Sequence, residues 1–76
     1  MNKERRKRIE DCVARLYDLQ EEIGSIRDDE QESRDNLPDN LYYSQRADRM
    51  DEVIDGLDEV WSDIDTMIDN LNALTE

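Results

Sequence analysis

Apolar residues follow one another at alternating steps of three and four in two long segments of the chain. In the first segment they are Ile9, Cys12, Leu16, Leu19, Ile23 and Ile26, and in the second they are Met50, Val53, Leu57, Val60, Ile64, Met67, Leu71 and Leu74. This alternation is the heptad spacing of helices that pack along a shared seam. It predicts an all-α protein with one helix over about residues 3–34 and a second over about 44–74.

The segment between the two predicted helices, about residues 35–43, reads DNLPDNLYY and is predicted to be a turn. Its Asp-Asn pairs provide turn chemistry, Pro38 prevents the first helix from continuing, and Ser44 is the expected N-cap of the second helix. A connection this short makes the helices antiparallel neighbours in a single coiled-coil-like hairpin over residues 1–76. One register then aligns all six facing pairs: Ile9–Leu71, Leu16–Ile64, Ile23–Leu57, Cys12–Met67, Leu19–Val60 and Ile26–Val53.

A second apolar stripe lies beside the main seam of the second helix. Ile54, Trp61 and Ile68 recur at seven-residue intervals, whereas the first helix has only Val13 in the equivalent row, followed by Gln20 and Arg27. Since two helices cannot cover both stripes, this one is predicted to be an oligomer interface that joins two hairpins into a four-helix bundle. The alternative is that the first helix rolls over and covers both stripes unaided.

The composition limits the cellular compartments and the classes of partner that can be expected for this protein. The chain of 76 residues has a formal net charge of −12, which disfavours direct contact with nucleic acid or an anionic membrane and favours basic protein partners. Cys12 is the only cysteine, so an intramolecular disulfide is excluded and a reducing interior is expected. Neither a secretory signal nor an apolar run of membrane-spanning length is present, which predicts a cytoplasmic protein.

Residues for catalysis or metal binding are scarce. The chain has no histidine, and its single cysteine occupies a seam position, where a small apolar side chain is the ordinary use of cysteine. The segment DEVIDG fails the calcium-loop pattern because Val53 stands where an oxygen ligand is required. We therefore expect no enzyme activity, no cofactor and no specific metal site.

Acidic residues dominate the second helix and are the strongest functional signal. From Asp48 to Glu76 there are ten acidic residues and one basic residue. Short aspartates at outward positions cost helix propensity and repel one another, so their repetition indicates either a useful negative field or a surface that solvent screens. The predicted acidic partner-binding face consists of Asp51, Glu52, Asp55, Asp58, Glu59, Asp63, Asp65 and Asp69.

Three interpretations of this face remain open. It can imitate DNA or RNA and occupy a basic groove of another protein, since its charges repeat about every 5 Å along the helix. It can also be a solvated surface that keeps a small bundle soluble. A third interpretation is adaptation to high salt, which the small number of lysines, only Lys3 and Lys7, favours.

A basic tail precedes the first heptad. The run KERRKR contains half of the basic residues of the chain, namely Lys3, Arg5, Arg6, Lys7 and Arg8. Positive charge is unfavourable at a helix N-terminus, so a purely structural role fits poorly. We expect the tail to balance nearby acid or to dock on a partner in preference to contacting nucleic acid.

The chain resembles small acidic helical accessory proteins of bacteriophages and prophages. The resemblance lies in the basic start NKERRKRIE, the turn DNLP and the heptads VIDGL and MIDNL, while Arg34 before the turn and Trp61 within the heptads depart from it. It implies a phage-encoded accessory protein that acts in the cytoplasm of an infected or lysogenic bacterial host. The family has no settled activity, but small acidic proteins of this kind often interfere with host defence or nucleic-acid enzymes. The resemblance therefore supports the hypothesis that the chain presents a DNA-like carboxylate face and inhibits a nucleic-acid-binding or defence protein such as a CRISPR effector. The alternative function is a helical assembly or scaffold adaptor whose acidic surface only provides solubility.

Overall fold

The computed structural model of the protein describes residues 1–76 and consists of two long helices. Helix α1 runs over Lys3–Asp35 and α2 over Gln45–Leu74, with a 3-10 turn at Asp39–Leu41 between them. The helices pack against each other as a hairpin about 60 Å long and 14 × 12 Å across. The predicted all-α antiparallel hairpin is confirmed, and the observed ends of the helices lie within one residue of the predicted ends.

Side-chain caps fix where both helices begin. The Asn2 side chain accepts a hydrogen bond from the amide of Arg5 at 2.8 Å, which satisfies one of the free donors of the first turn of α1. The hydroxyl of Ser44 accepts from the amide of Ala47 at 3.2 Å and donates to the carbonyl oxygen of Leu41 at 2.6 Å. Ser44 thus ties the 3-10 turn to α2, and its predicted role as N-cap is confirmed.

The core of the hairpin is narrow and is built largely from the second predicted stripe. The buried side chains are Val13, Gln20, Ala47, Ile54 and Ile68, and Ile68 is only 1% exposed. The rows that contain Ile9, Leu16 and Ile23 in α1 and Leu57, Ile64 and Leu71 in α2 are half-buried beside this core. Helix α1 has therefore turned toward Ile54 and Ile68, and the seam lies one row away from its predicted position.

This rotation of the seam corrects half of the predicted facing pairs. Instead of packing between the helices, Leu19, Ile26, Val60 and Met67 are 43–55% exposed, and Cys12 is exposed with them. The physical reason is that α2 carries three adjacent apolar rows and one neighbouring helix covers only two of them. The prediction that one apolar row stays uncovered was correct in number, but the row was the wrong one.

The predicted oligomer interface is corrected for the same reason. Ile54 and Ile68 are buried against α1 within a single chain, so they are not available to a second copy. Trp61 lies between them on the same row and is 42% exposed, with its indole against Gly24 of α1. These three side chains hold the hairpin together, and a charged residue at any of them would disturb the fold before it disturbed an assembly.

Glycine weakens both helices at places where the structure has room for alanine. A β-carbon added at Gly24 would lie 3.6 Å from Nε1 of Trp61, an ordinary contact distance, and one added at Gly56 would meet nothing within 4 Å. Because glycine is about 1 kcal/mol less favourable than alanine inside a helix, we expect Gly24→Ala and Gly56→Ala each to raise the free energy of unfolding by about that amount. Thermal unfolding followed by circular dichroism measures both changes.

The two glycine variants control for each other. Both gain helix propensity, but only Gly24→Ala adds a contact with the Trp61 ring. Gly24→Ala should therefore stabilise at least as much as Gly56→Ala. A lower melting temperature for Gly24→Ala than for Gly56→Ala would contradict this prediction, because it would mean that Trp61 lies too close to Gly24 for an added methyl group.

Candidate binding faces

A ladder of polar contacts crosses the hairpin on one side of the seam. Its three rungs recur at seven-residue intervals, from Gln20, Arg27 and Arg34 of α1 to Asp65, Asp58 and Asp51 of α2. The Nε atoms of the two arginines lie 2.9 and 3.0 Å from the carboxylate oxygens, and Nε2 of Gln20 donates to Asp65 at 3.3 Å and to the carbonyl oxygen of Trp61 at 3.2 Å. We refer to this set as the polar ladder.

The polar ladder explains how α1 covers apolar residues with polar ones. Gln20, Arg27 and Arg34 continue the row of the buried Val13 at seven-residue steps, and their polar heads reach the carboxylates of α2. Long side chains placed in this way cover apolar surface with their aliphatic stems. The hydrogen bonds with the aspartates raise the pKa of both the Arg27 and the Arg34 guanidinium. These contacts therefore favour the charged form of each guanidinium, the form that donates to the aspartates.

The rung nearest the turn has an additional aromatic partner. Cζ of Arg34 lies 4.4 Å from the centre of the Tyr42 ring, and the Arg34 side chain is only 12% exposed. Tyr42 also meets the ring of Tyr43 edge-on, with 5.3 Å between the centroids. One guanidinium nitrogen of Arg34, Nη1, is buried without a hydrogen-bond partner, which the ring face above the guanidinium compensates only in part.

The polar ladder divides the predicted acidic face into two groups. Asp51, Asp58 and Asp65 are its acceptors, so they serve the fold, and Glu52 pairs with Arg49 at 3.0 Å one turn away on the same helix. The remaining four are exposed and make no ion pair within the chain. We call these four the free acidic patch: Asp55, Glu59, Asp63 and Asp69.

The geometry of the free acidic patch follows from helical spacing. Asp55, Glu59 and Asp63 succeed one another at four-residue steps along the solvent side of α2, each step rising about 6 Å. Asp69 continues the row of Asp55 two heptads further on. The eight predicted carboxylates thus lie in several rows on α2. Only the four of the free acidic patch are free to meet a partner.

The predicted basic tail is part of α1. Its five basic side chains lie in the first two turns of that helix and are exposed, and none of them makes an ion pair within the chain. Because α1 begins at Lys3 and α2 ends at Leu74 in an antiparallel hairpin, the basic turns lie at its open end, next to the last turn of α2. The acidic residues that the basic tail was expected to balance are therefore few at this end of the hairpin.

Sequence reasoning missed an apolar face on the side of the seam opposite the polar ladder. Two neighbouring rows form it, one from each helix, and we define the apolar face as Cys12, Leu19, Ile26, Val60, Met67 and Leu74. Leu74 is 59% exposed and extends the face to the open end. The matching seven-residue spacing of Gln20, Arg27 and Arg34 with Asp65, Asp58 and Asp51 was the signal in the sequence that could have revealed which rows face each other.

Comparisons with known proteins add no family to this description. None of the protein-family models, curated proteins or solved structures compared with the chain matches it. No helix of the hairpin is long and apolar enough to cross a bilayer, and its acidic and cysteine side chains nowhere come together as a group of three that could hold a metal ion.

Proposed function

We propose that this is a phage-encoded acidic binding protein that inhibits a host nucleic-acid-binding or defence protein by occupying its basic groove. The free acidic patch carries the proposal. Its four carboxylates are exposed and form no ion pair within the chain. The two arginines of α1 that reach α2, Arg27 and Arg34, pair instead with Asp58 and Asp51. The resemblance to phage accessory proteins and the net charge of −12 also support an acidic inhibitor of this kind.

The proposed mechanism is competition for a surface and involves no covalent chemistry. A rigid helix holds the carboxylates of the free acidic patch close to the backbone, so their charges are fixed in space before contact. A groove that binds a phosphate backbone presents arginine and lysine side chains at comparable intervals, and it would exchange phosphates for carboxylates. Because the attraction is between exposed charges, it weakens steeply as salt rises.

The test is affinity capture from a bacterial lysate at low salt, with three residues of the patch neutralised. We expect the variant Asp55→Asn, Glu59→Gln, Asp63→Asn to lose most of the retained nucleic-acid-binding proteins, and added duplex DNA to release them from the unaltered chain. The three substitutions avoid the polar ladder, so circular dichroism should show an unchanged helix content.

A matched variant separates a local site from a general effect of charge. Asp11→Asn, Asp18→Asn, Glu21→Gln removes the same number of charges from exposed and unpaired positions on α1. It should retain the captured proteins. Equal retention by both variants would contradict the proposal and leave the acidic surface with a role in solubility only.

The alternative function, an assembly or scaffold adaptor, is favoured by a different observation. The apolar face leaves large side chains half-exposed on a small protein, as an interface for another helical surface would. A second copy seated there would complete a four-helix bundle. Salt discriminates between the two functions, since apolar docking is largely insensitive to it, whereas release of captured partners at about 0.5 M salt favours the charge-based function.

A further inference from the structure

The apolar face is large enough to seat a partner. Five of its side chains are 43–59% exposed, and together they offer on the order of 500 Å² of apolar surface per chain, most of what one side of a standard protein interface buries. The face is long and narrow and extends over about 30 Å of the 60 Å hairpin, from Leu74 at the open end to Ile26. Such a shape fits another straight helical pair better than it fits a compact globular surface.

Unpaired charges border the apolar face on α1 and change sign halfway along it. Arg8 and Arg15 lie beside the face toward the open end, and Glu22 and Asp29 lie beside it toward the turn. All four are exposed, and none makes an ion pair within the chain. They recur at seven-residue steps, which keeps them in one row three residues after the α1 members of the face.

We infer that the occupant of the apolar face is a second copy of the chain, packed antiparallel so that the open end of one hairpin lies on the turn end of the other. A two-fold axis through Leu19 and Val60 places Cys12 opposite Ile26 of the other copy, and Met67 opposite Val53. The same axis brings Arg15 against Glu22 and Arg8 against Asp29 across the interface. Every unpaired charge of the bordering row then meets an opposite charge.

The distribution of charge along the hairpin selects the antiparallel arrangement. Residues 28–52, at the turn end, contain nine acidic and three basic residues, whereas residues 1–10 and 70–76, at the open end, contain three acidic and five basic residues. A parallel pair would place both acidic ends together and both basic ends together. The net charge of −12 on each chain opposes association in both arrangements, but the antiparallel pair puts each basic end against an acidic end and so repels less than the parallel pair. The charge distribution and the local ion pairs therefore favour the same arrangement.

The experiment measures the dimer dissociation constant by sedimentation equilibrium at low salt. Because only the purified chain is present, the result does not depend on any partner of the free acidic patch. Arg15→Glu and Glu22→Arg should each weaken the dimer about tenfold, and the double variant should restore it, because two exposed ion pairs per dimer are lost and then reformed. The Glu22→Arg result is the most informative. That change brings each chain closer to neutrality, which on net charge alone would strengthen association.

Two further variants make every outcome decisive. Asp18→Arg changes the charge as Glu22→Arg does but lies away from the face, so it should not weaken the dimer. Val60→Asp should abolish the dimer while circular dichroism keeps its helical signal, since Val60 lies outside the core. A parallel pair would instead set Arg15 near Asp63 and Glu22 near Gly56, so Glu22→Arg would have no effect and the double variant would not recover. That result, or a monomer at about 100 µM, overturns the inference.

Discussion

Ile68→Ala is expected to leave the hairpin largely unfolded at room temperature. Ile68 is 1% exposed, and truncating a buried isoleucine to alanine costs about 2–5 kcal/mol through lost burial and the cavity left behind. A core this small rarely supplies more than about 3–5 kcal/mol in total. The loss of helical signal in circular dichroism, together with a urea midpoint shifted to near zero, would measure the effect.

The control for this prediction is a large side chain that contributes no burial. Tyr43 is 91% exposed, and Tyr43→Ala should change the free energy of unfolding by less than about 0.5 kcal/mol. If Ile68→Ala instead folded normally and merely changed the mass in solution, Ile68 would belong to an interface between copies. The structure places it between the two helices of one chain.

Ala47→Leu is expected to have the second-largest effect, for the opposite reason. Ala47 is fully buried in the first turn of α2, where its amide donates to the Ser44 hydroxyl, and it lies one turn before Asp51, the partner of Arg34. Three additional carbon atoms have no space there, so the rung between Arg34 and Asp51 must open or the turn must shift. Overpacking of this kind costs about 1–3 kcal/mol, and chemical unfolding measures it.

An exposed alanine supplies the comparison for Ala47. Ala14 lies on the solvent side of α1, and Ala14→Leu adds the same atoms in a helix without a steric conflict. Its stability should change by only a few tenths of a kcal/mol. Equal effects at both positions would mean that helix propensity, and not the space around Ala47, determines the result.

The sequence was sufficient for the helices, the turn and their antiparallel pairing, because each depends on local chemistry. Heptad spacing, Pro38 and the Ser44 cap state where the helices start and stop, and a short turn forces an antiparallel pair. The facing of α1 was mispredicted because counting apolar residues treats Gln20 and Arg27 as unfit for a seam. Their fitness depends on acceptors more than 30 residues away, which only the folded pair brings together.

The candidate binding faces were predictable to a smaller degree. The acidity of α2 is evident from the sequence, but which carboxylates are free depends on which ones the arginines of α1 reach. Asp51 and Asp58 were indistinguishable from Asp55 in the sequence, and the polar ladder separates them. The partner itself is not encoded in contacts within the chain, since a negative field attracts any basic surface of suitable shape.

The connectivity of a two-helix hairpin also sets the order in which it forms. The rung between Arg34 and Asp51 closes a loop of 17 residues, whereas that between Gln20 and Asp65 spans 45. Shorter loops lose less entropy on closing, so the pair is expected to zip from the turn outward. The basic turns of α1 are then the last part of the helix to pack on α2 and the first to separate from it. They can separate and contact another molecule while the turn end remains folded.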